Sequence, residues 1–224
     1  MKSVDDPDGT SRVESEQAGD GFGLTNRDYA RACEVLQAGG VVAFPTETYY
    51  GLAVDPFNPA ALSRLFALKR RAPDKPVLLL IENCGQLAPL VAEIPKPFSL
   101  LMQRLWPGPL TLVFPAAPAL PDMLTGYSGT VGIRFSPHPV ARRLVATFGQ
   151  PITATSANFS GQPAAVSAEG VIDQLGPDVD LVLDGGETPG GMGSTVVGCT
   201  DGSIRMIRAG VIPFVEVQSL LGGG

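Results

Sequence analysis

The sequence is poor in the residues that carry most catalytic chemistry. It has one histidine, His138, and three cysteines, Cys33, Cys84 and Cys199, far apart and odd in number. That excludes a zinc site of the usual Cys/His kind, and the cysteines read as small buried hydrophobes. A Ser-His-Asp arrangement would need His138 itself, which lies between two prolines in SPHPV, and no GxSxG-like element is present. His138 therefore reads as a helix-start or surface residue. The two common phosphate-loop patterns, GxxxxGK followed by Ser or Thr and GxGxxG, are both missing. Aromatic residues make up 7% of the chain, few for stacking bases. Excess positive charge is missing too: the net charge is −6 and the isoelectric point near 4.8, which counts against nonspecific binding of duplex nucleic acid. No apolar run is long enough to span a membrane, and the N-terminus lacks the charged-then-apolar pattern of a signal peptide. A cytoplasmic protein is expected.

The chain does have length, hydrophobic residues and turns. Its 224 residues, 44% hydrophobic and 17% charged, suffice for one domain with a sizeable core. Glycine (27) and proline (21) sit mostly between apolar runs and indicate shaped loops rather than low complexity. Residues 1–23 are acidic and polar and read as a disordered tail; the terminal Gly222-Gly223-Gly224 reads as frayed. A single domain is expected over 24–221.

Strand and helix patterns alternate across that domain. Tyr29, Ala32, Cys33 and Leu36 recur at helical spacing, and Gly39-Gly40 stops the helix before a strand at 41–44. Asn58-Pro59 starts a helix whose buried stripe is Leu62, Leu65 and Phe66. Strands are expected at 77–81, 110–114, 130–135, 151–155, 180–183 and 195–198, with short runs around 204–208. Helices are expected around 98–105, 140–148, 168–175 and 213–221. The alternation predicts an α/β domain with a mixed, largely buried sheet.

Ligands of open α/β sheets bind beyond the carboxyl ends of strands. Three such ends are polar and small: PTETYYG after 41–44, TSANFSG at 155–161, and the glycine-rich 184–195. Taken alone, the glycines read as a flexible turn. A fourth element, KRRAPDKP (69–76), clusters cations beside these hydroxyl-rich loops. Basic residues suit a helix C-terminus, which accounts for Lys69 and Arg70. Asp74-Lys75, flanked by prolines, is not accounted for in that way, and the cluster suits a triphosphate. An arginine following Val131-Gly132-Ile133, Arg134, points into a cleft by strand alternation.

The ordered set VVAFPTETYYGL, LFALKRRAPDKP, LWPGPLTLV, TVGIRFSPHPVA, PITATSANFSG, LVLDGG and STVV resembles the YrdC-type threonylcarbamoyl-AMP synthases, from about residue 25 to about 213. The resemblance implies a YrdC-like twisted, mixed open sheet with flanking helices around a large concave cavity. It implies a nucleotidyltransferase that joins L-threonine, bicarbonate and ATP into L-threonylcarbamoyladenylate and pyrophosphate, with Mg²⁺ bridging phosphates. Downstream tRNA threonylcarbamoyl-transfer proteins would take the product to an adenosine beside the anticodon, with room for a weak tRNA contact. The family signature is present as Lys69-Arg70-Arg71 and Ser156-Ala157-Asn158, which implies catalytic roles for Lys69, Arg71, Ser156 and Asn158. By the same resemblance Arg71, Lys75, Thr130, Ser156 and Arg208 contact ATP. Thr48, Arg134 and Ser194 contact threonine, with backbone near Ala154. Glu47 orients neighbours rather than reacting, Tyr49 and Tyr50 are wall and core, and Gly51 frees the backbone behind Thr48. Tyr49 stands where many relatives have Val, and Gly193 where many have Glu. The extra C-terminal domain of longer relatives is expected to be missing. Two other functions stay open: a carbamoyl-transfer paralogue, and an RNA-binding module without chemistry.

Overall fold

Strand β1 (Val42–Pro45) is buried along its whole length, and its alternation divides it between two cores. Val42 and Phe44 pack into one hydrophobic cluster, Val41 and Ala43 into the other, as the period of two requires. The computed structural model describes residues 21–222. Before β1 comes α1 (Asn26–Gln37), started by Thr25, whose backbone N–H donates to the Asp28 carboxylate at 2.8 Å. After it come β2 (Tyr50–Ala53), α2 (Pro59–Leu68), β3 (Leu79–Leu80), α3 (Lys96–Leu105), β4 (Leu110–Pro115) and α4 (Asp122–Thr125). Next are β5 (Thr130–Arg134), α5 (Pro139–Phe148), β6 (Ile152–Thr153), β7 (Thr155–Ser156), α6 (Ala168–Leu175), β8 (Leu181–Val182), β9 (Thr195–Thr200), β10 (Ser203–Arg208) and α7 (Phe214–Gly222).

The strands form two sheets where one was expected. The first has order β7-β2-β1-β8, the second β10-β9-β4-β5-β3-β6. Both are mixed: β1/β8, β3/β5 and β4/β9 run parallel, the other pairs antiparallel. The expected strand at 151–155 explains the split. It breaks at Ala154, so that β6 pairs with β3 in one sheet and β7 with β2 in the other.

Local signals fare well at the helices. Asn58 caps α2, its side-chain oxygen accepting from Ala60 N at 3.0 Å and Ala61 N at 3.2 Å, with Pro59 at the first position. His138 is the N-cap residue of α5 and Pro139 its first residue. Corrections fall on short pieces. The run 77–81 forms a ladder only at Leu79 and Leu80, and Tyr50-Gly51, read as loop, belongs to β2. A Cβ at Gly51 would lie 3.2 Å from the Phe44 ring, so the absence of a side chain there relieves a tight contact across the β1–β2 pair. Cys84 is exposed rather than buried. The expected disordered tail lies outside the described residues up to position 20, as do Gly223 and Gly224. Phe22, within that expected tail, sets its ring 5.4 Å from that of His138.

Candidate active site

The second sheet has one face of core and one face of cleft. Along β5, Val131 and Ile133 join the core while Thr130, Gly132 and Arg134 line a cleft of about 770 Å³. Along β4, Leu110, Leu112 and Phe114 are core, and Thr111 and Val113 line the cleft. The first sheet supplies the facing wall through Thr46, Thr48, Tyr50, Gly51, Thr155 and Ser156. The volume falls within the roughly 300–1,000 Å³ of small-molecule sites.

Nine predicted site residues line this cleft: Thr48, Arg71, Thr130, Arg134, Ala154, Ser156, Asn158, Ser194 and Arg208. Lys69 and Lys75 do not. Lys69 is 1% exposed. Its ammonium donates to the Ser156 carbonyl, to the Asn158 carbonyl at 2.8 Å and to Asn158 Oδ1 at 3.1 Å. Burial first, and the charge of Arg71 second, bring it down to about 7. Lys69 thus holds the Ser156–Asn158 turn in place; it is not aimed at a phosphate. Ser156 Oγ in turn donates to Asn158 Oδ1 at 2.6 Å. Lys75 is exposed, and its carbonyl accepts from Arg71 Nε at 3.2 Å. Arg71 Nη2 also donates to the Pro76 carbonyl at 2.8 Å. The turn 69–76 therefore sorts its cations: Lys69 inward, Arg71 to the cleft, Lys75 to solvent.

At the other end, Arg134 is 5% exposed. Its Nη1 lies 3.2 Å from Glu47 Oε1 and 3.4 Å from Thr48 Oγ1. Ser136 Oγ donates to the second Glu47 oxygen, Oε2. Arg134 Nε and Glu47 Oε1 are buried with no hydrogen-bond partner among the described residues. Buried polar groups are ordinarily paired, and leaving one unpaired costs about 1–3 kcal/mol. Burial lowers the Arg134 pKa, the Glu47 carboxylate opposes this, and the charge of Arg208 adds to it. Arg71 is likewise lowered, by burial and then by Arg208. With Arg208 repelling both Arg71 and Arg134 in one cleft, an anion is favoured there, although the chain as a whole carries a net charge of −6.

Ser194 is 1% exposed and shares a 2.8 Å hydrogen bond with Thr111. Arg208 Nη2 donates to the Ser194 carbonyl at 2.9 Å and to its Oγ at 3.2 Å. This segment lies so close to Gly210 that a Cβ there would collide with the backbone of residues 193–195. Thr130 Oγ1 shares a 2.8 Å bond with Ser128 Oγ, and Ala154 N–H donates to the Leu78 carbonyl at 2.9 Å. Thr111, Ser128 and Met192 are cleft residues that sequence reasoning missed. The signal for Thr111 was a lone hydroxyl in the apolar run LTLV; Met192 carried none.

The family model Sua5_yciO_yrdC, described as telomere recombination, matches residues 34–210. The chain belongs to the Sua5/YciO/YrdC family. It is 38% identical over 191 residues to the threonylcarbamoyl-AMP synthase of Pyrococcus abyssi, covering 85% of this chain and 56% of that one. It is 45% identical over 161 residues to the enzyme of the same name from Alkalilimnicola ehrlichii, covering 71% and 84%. A crystal structure of P. abyssi Sua5 complexed with L-threonine superposes with a TM-score of 0.84 at 38% identity, over 87% of this chain and 57% of that one. The chain thus spans little more than half the length of the P. abyssi protein. The twisted mixed sheets and flanking helices are the fold of that family.

Proposed function

We propose that the chain synthesises L-threonylcarbamoyladenylate from L-threonine, bicarbonate and ATP, releasing pyrophosphate. The observation that carries this is the meeting of Arg71, Arg134 and Arg208 with the hydroxyls of Thr48, Ser156 and Ser194 in one cleft. The names of the relatives point the same way. Arg134 takes the threonine carboxylate, with Thr48 and Ser194 on either side and Ala154 beneath. A guanidinium offers parallel donors that suit a carboxylate, and Glu47 and Ser136 keep it oriented. Arg71, Arg208, Thr130 and Ser156 hold the triphosphate.

The threonine amine and bicarbonate form a carbamate with loss of water. A carbamate oxygen then attacks the α-phosphorus, and the bond to the bridging oxygen of pyrophosphate breaks. The chain's part is positioning and neutralising charge on oxygen. No group of three or more His, Cys, Asp or Glu that could hold a metal is present among the described residues. Magnesium would come bound to the phosphates of ATP and neutralise their charge, beside Arg71 and Arg208. The product is handed to tRNA threonylcarbamoyl-transfer proteins in the cytoplasm, with only weak direct contact with tRNA. Among the described residues no helix is long and apolar enough to cross a membrane.

Pyrophosphate release from ATP and Mg²⁺ tests the reading, with L-threonine and bicarbonate omitted in turn. Release that needs both is expected. Release driven by carbamoyl phosphate without threonine, or salt-sensitive RNA binding without turnover, would replace it.

A further inference from the structure

The segment between β8 and β9 brings Met192, Gly193 and Ser194 into the cleft, yet its sequence DGGETPGGMGS has few side chains able to anchor it. Its own Thr188 donates to the Val166 carbonyl at 3.1 Å, and the other anchors come from the end of the β1–β2 turn and the start of β2. Tyr50, fully buried, donates its phenol to the Gly186 carbonyl at 2.8 Å. Tyr49, beside it in sequence, donates to the Gly191 carbonyl at 2.8 Å. Gly190 N–H donates to the Thr48 carbonyl at 2.8 Å, closing the grip between the two phenols. Gly190 has φ of +65°, and a Cβ there would sit 3.0 Å from Val166. The backbone is therefore pressed close at this point, with no side chain of its own to hold it.

The two phenols differ in setting. The Tyr50 bond lies under the core residues of β2, where desolvation pushes its hydroxyl up to about 12, so it stays a donor throughout the physiological range. The Tyr49 bond lies at the exposed edge of the cleft and can open without disturbing the core. It lies three residues before Ser194, which meets Thr111 and Arg208.

We propose that Tyr49 is a positioning residue for the amino-acid end of the cleft: its phenol fixes Gly191 and thereby sets Ser194 against Thr111 and Arg208. This rests on the synthase reading. It gives the second tyrosine of TYYG a different task from the first. Tyr50 fastens the base of the segment permanently, and Tyr49 fastens its cleft end reversibly.

The test is Tyr49→Phe, which keeps the ring and removes the donor. Amides of residues 190–193 should exchange about fivefold faster, as expected for one lost hydrogen bond, while those of β1 and β5 keep their wild-type rates. The KM for L-threonine should rise about fivefold with kcat within about twofold. Tyr50→Phe should instead raise exchange across β1 and β2 and lower thermal stability. Unchanged exchange at 190–193 in Tyr49→Phe, or an equal rise everywhere, would overturn the proposal, as would an unchanged KM for threonine. A wild-type protein that releases no pyrophosphate sinks the synthase reading and with it the threonine arm; the exchange result still decides whether Tyr49 holds the segment.

Discussion

The two walls of the cleft are built differently. On the second sheet, β4 and β5 present every other residue to the cleft and anchor the alternate ones in the core, so Thr111, Thr130 and Arg134 are fixed by the ladder itself. On the other wall, Arg71 and Asn158 sit on turns, and Ser156 ends the two-residue strand β7 that leads into one of them. These are held by side chains reaching to carbonyls: Lys69 to Ser156 and Asn158, Arg71 to Lys75 and Pro76. A sheet wall makes its side chains costly to remove, because each is buried beside a fixed partner. A turn wall concentrates its cost in the few groups that tie it down.

The largest effect is expected where the sheet wall buries charge. Arg134→Ala leaves the largely buried Glu47 carboxylate without its counter-charge, with Ser136 as its remaining hydrogen-bond donor, which should lower stability by about 3 kcal/mol in urea unfolding. Threonine-dependent pyrophosphate release should fall at least ~100-fold. The double variant Glu47→Gln, Arg134→Met should recover most of the stability and none of the activity. Recovery of activity would show that the arginine acts only through the fold.

The turn wall is sharpest at Lys69. Its ammonium is lowered to about 7 in the folded chain, against 10.5 for the ordinary side chain. Below about pH 7 both states are protonated and the folded state bears the full penalty of burial. Between there and 10.5 the unfolded state binds the extra proton, so stability should rise with pH. Set against the three oxygens that favour the ammonium, a gain of about 1 kcal/mol is expected between pH 7 and pH 9.5. Lys69→Met should flatten that rise, and should disorder the Ser156–Asn158 turn in amide exchange. A wild-type curve that falls with pH over this range would reverse the assignment.

The smallest effect belongs to Lys75. It is exposed and outside the cleft lining, so Lys75→Ala should change KM for ATP by less than about twofold. A tenfold rise would mean that the turn moves to bring Lys75 onto phosphate.

The strand wall was legible before the structure because burial on one side forces a period of two. Arg134 after Val131-Gly132-Ile133 could point only one way. The helix starts at Asn58 and His138 were legible because their signals are local: a capping side chain at Asn58, and a proline at the first helical position after each. The turn wall was not. Lys69 and Arg71 are two residues apart in one basic run, and only the break of the chain at Ala154, which sends Ser156 beside α2, decides which of them is buried. The split into two sheets has the same origin, since strands of two residues leave almost no pattern. Met192 gave no signal: it lies in a glycine-rich segment whose neighbouring Gly191 is bonded by Tyr49, more than a hundred positions away.

The most direct test of the account uses ¹³C-bicarbonate with ATP, Mg²⁺ and L-threonine, and mass spectrometry of the nucleotide products. The account predicts a threonine–AMP conjugate carrying one ¹³C, formed by the wild type and lost in Arg71→Ala and Arg134→Ala. A folded wild-type protein that forms no such conjugate, or one that forms an adenylate without the label, would contradict it.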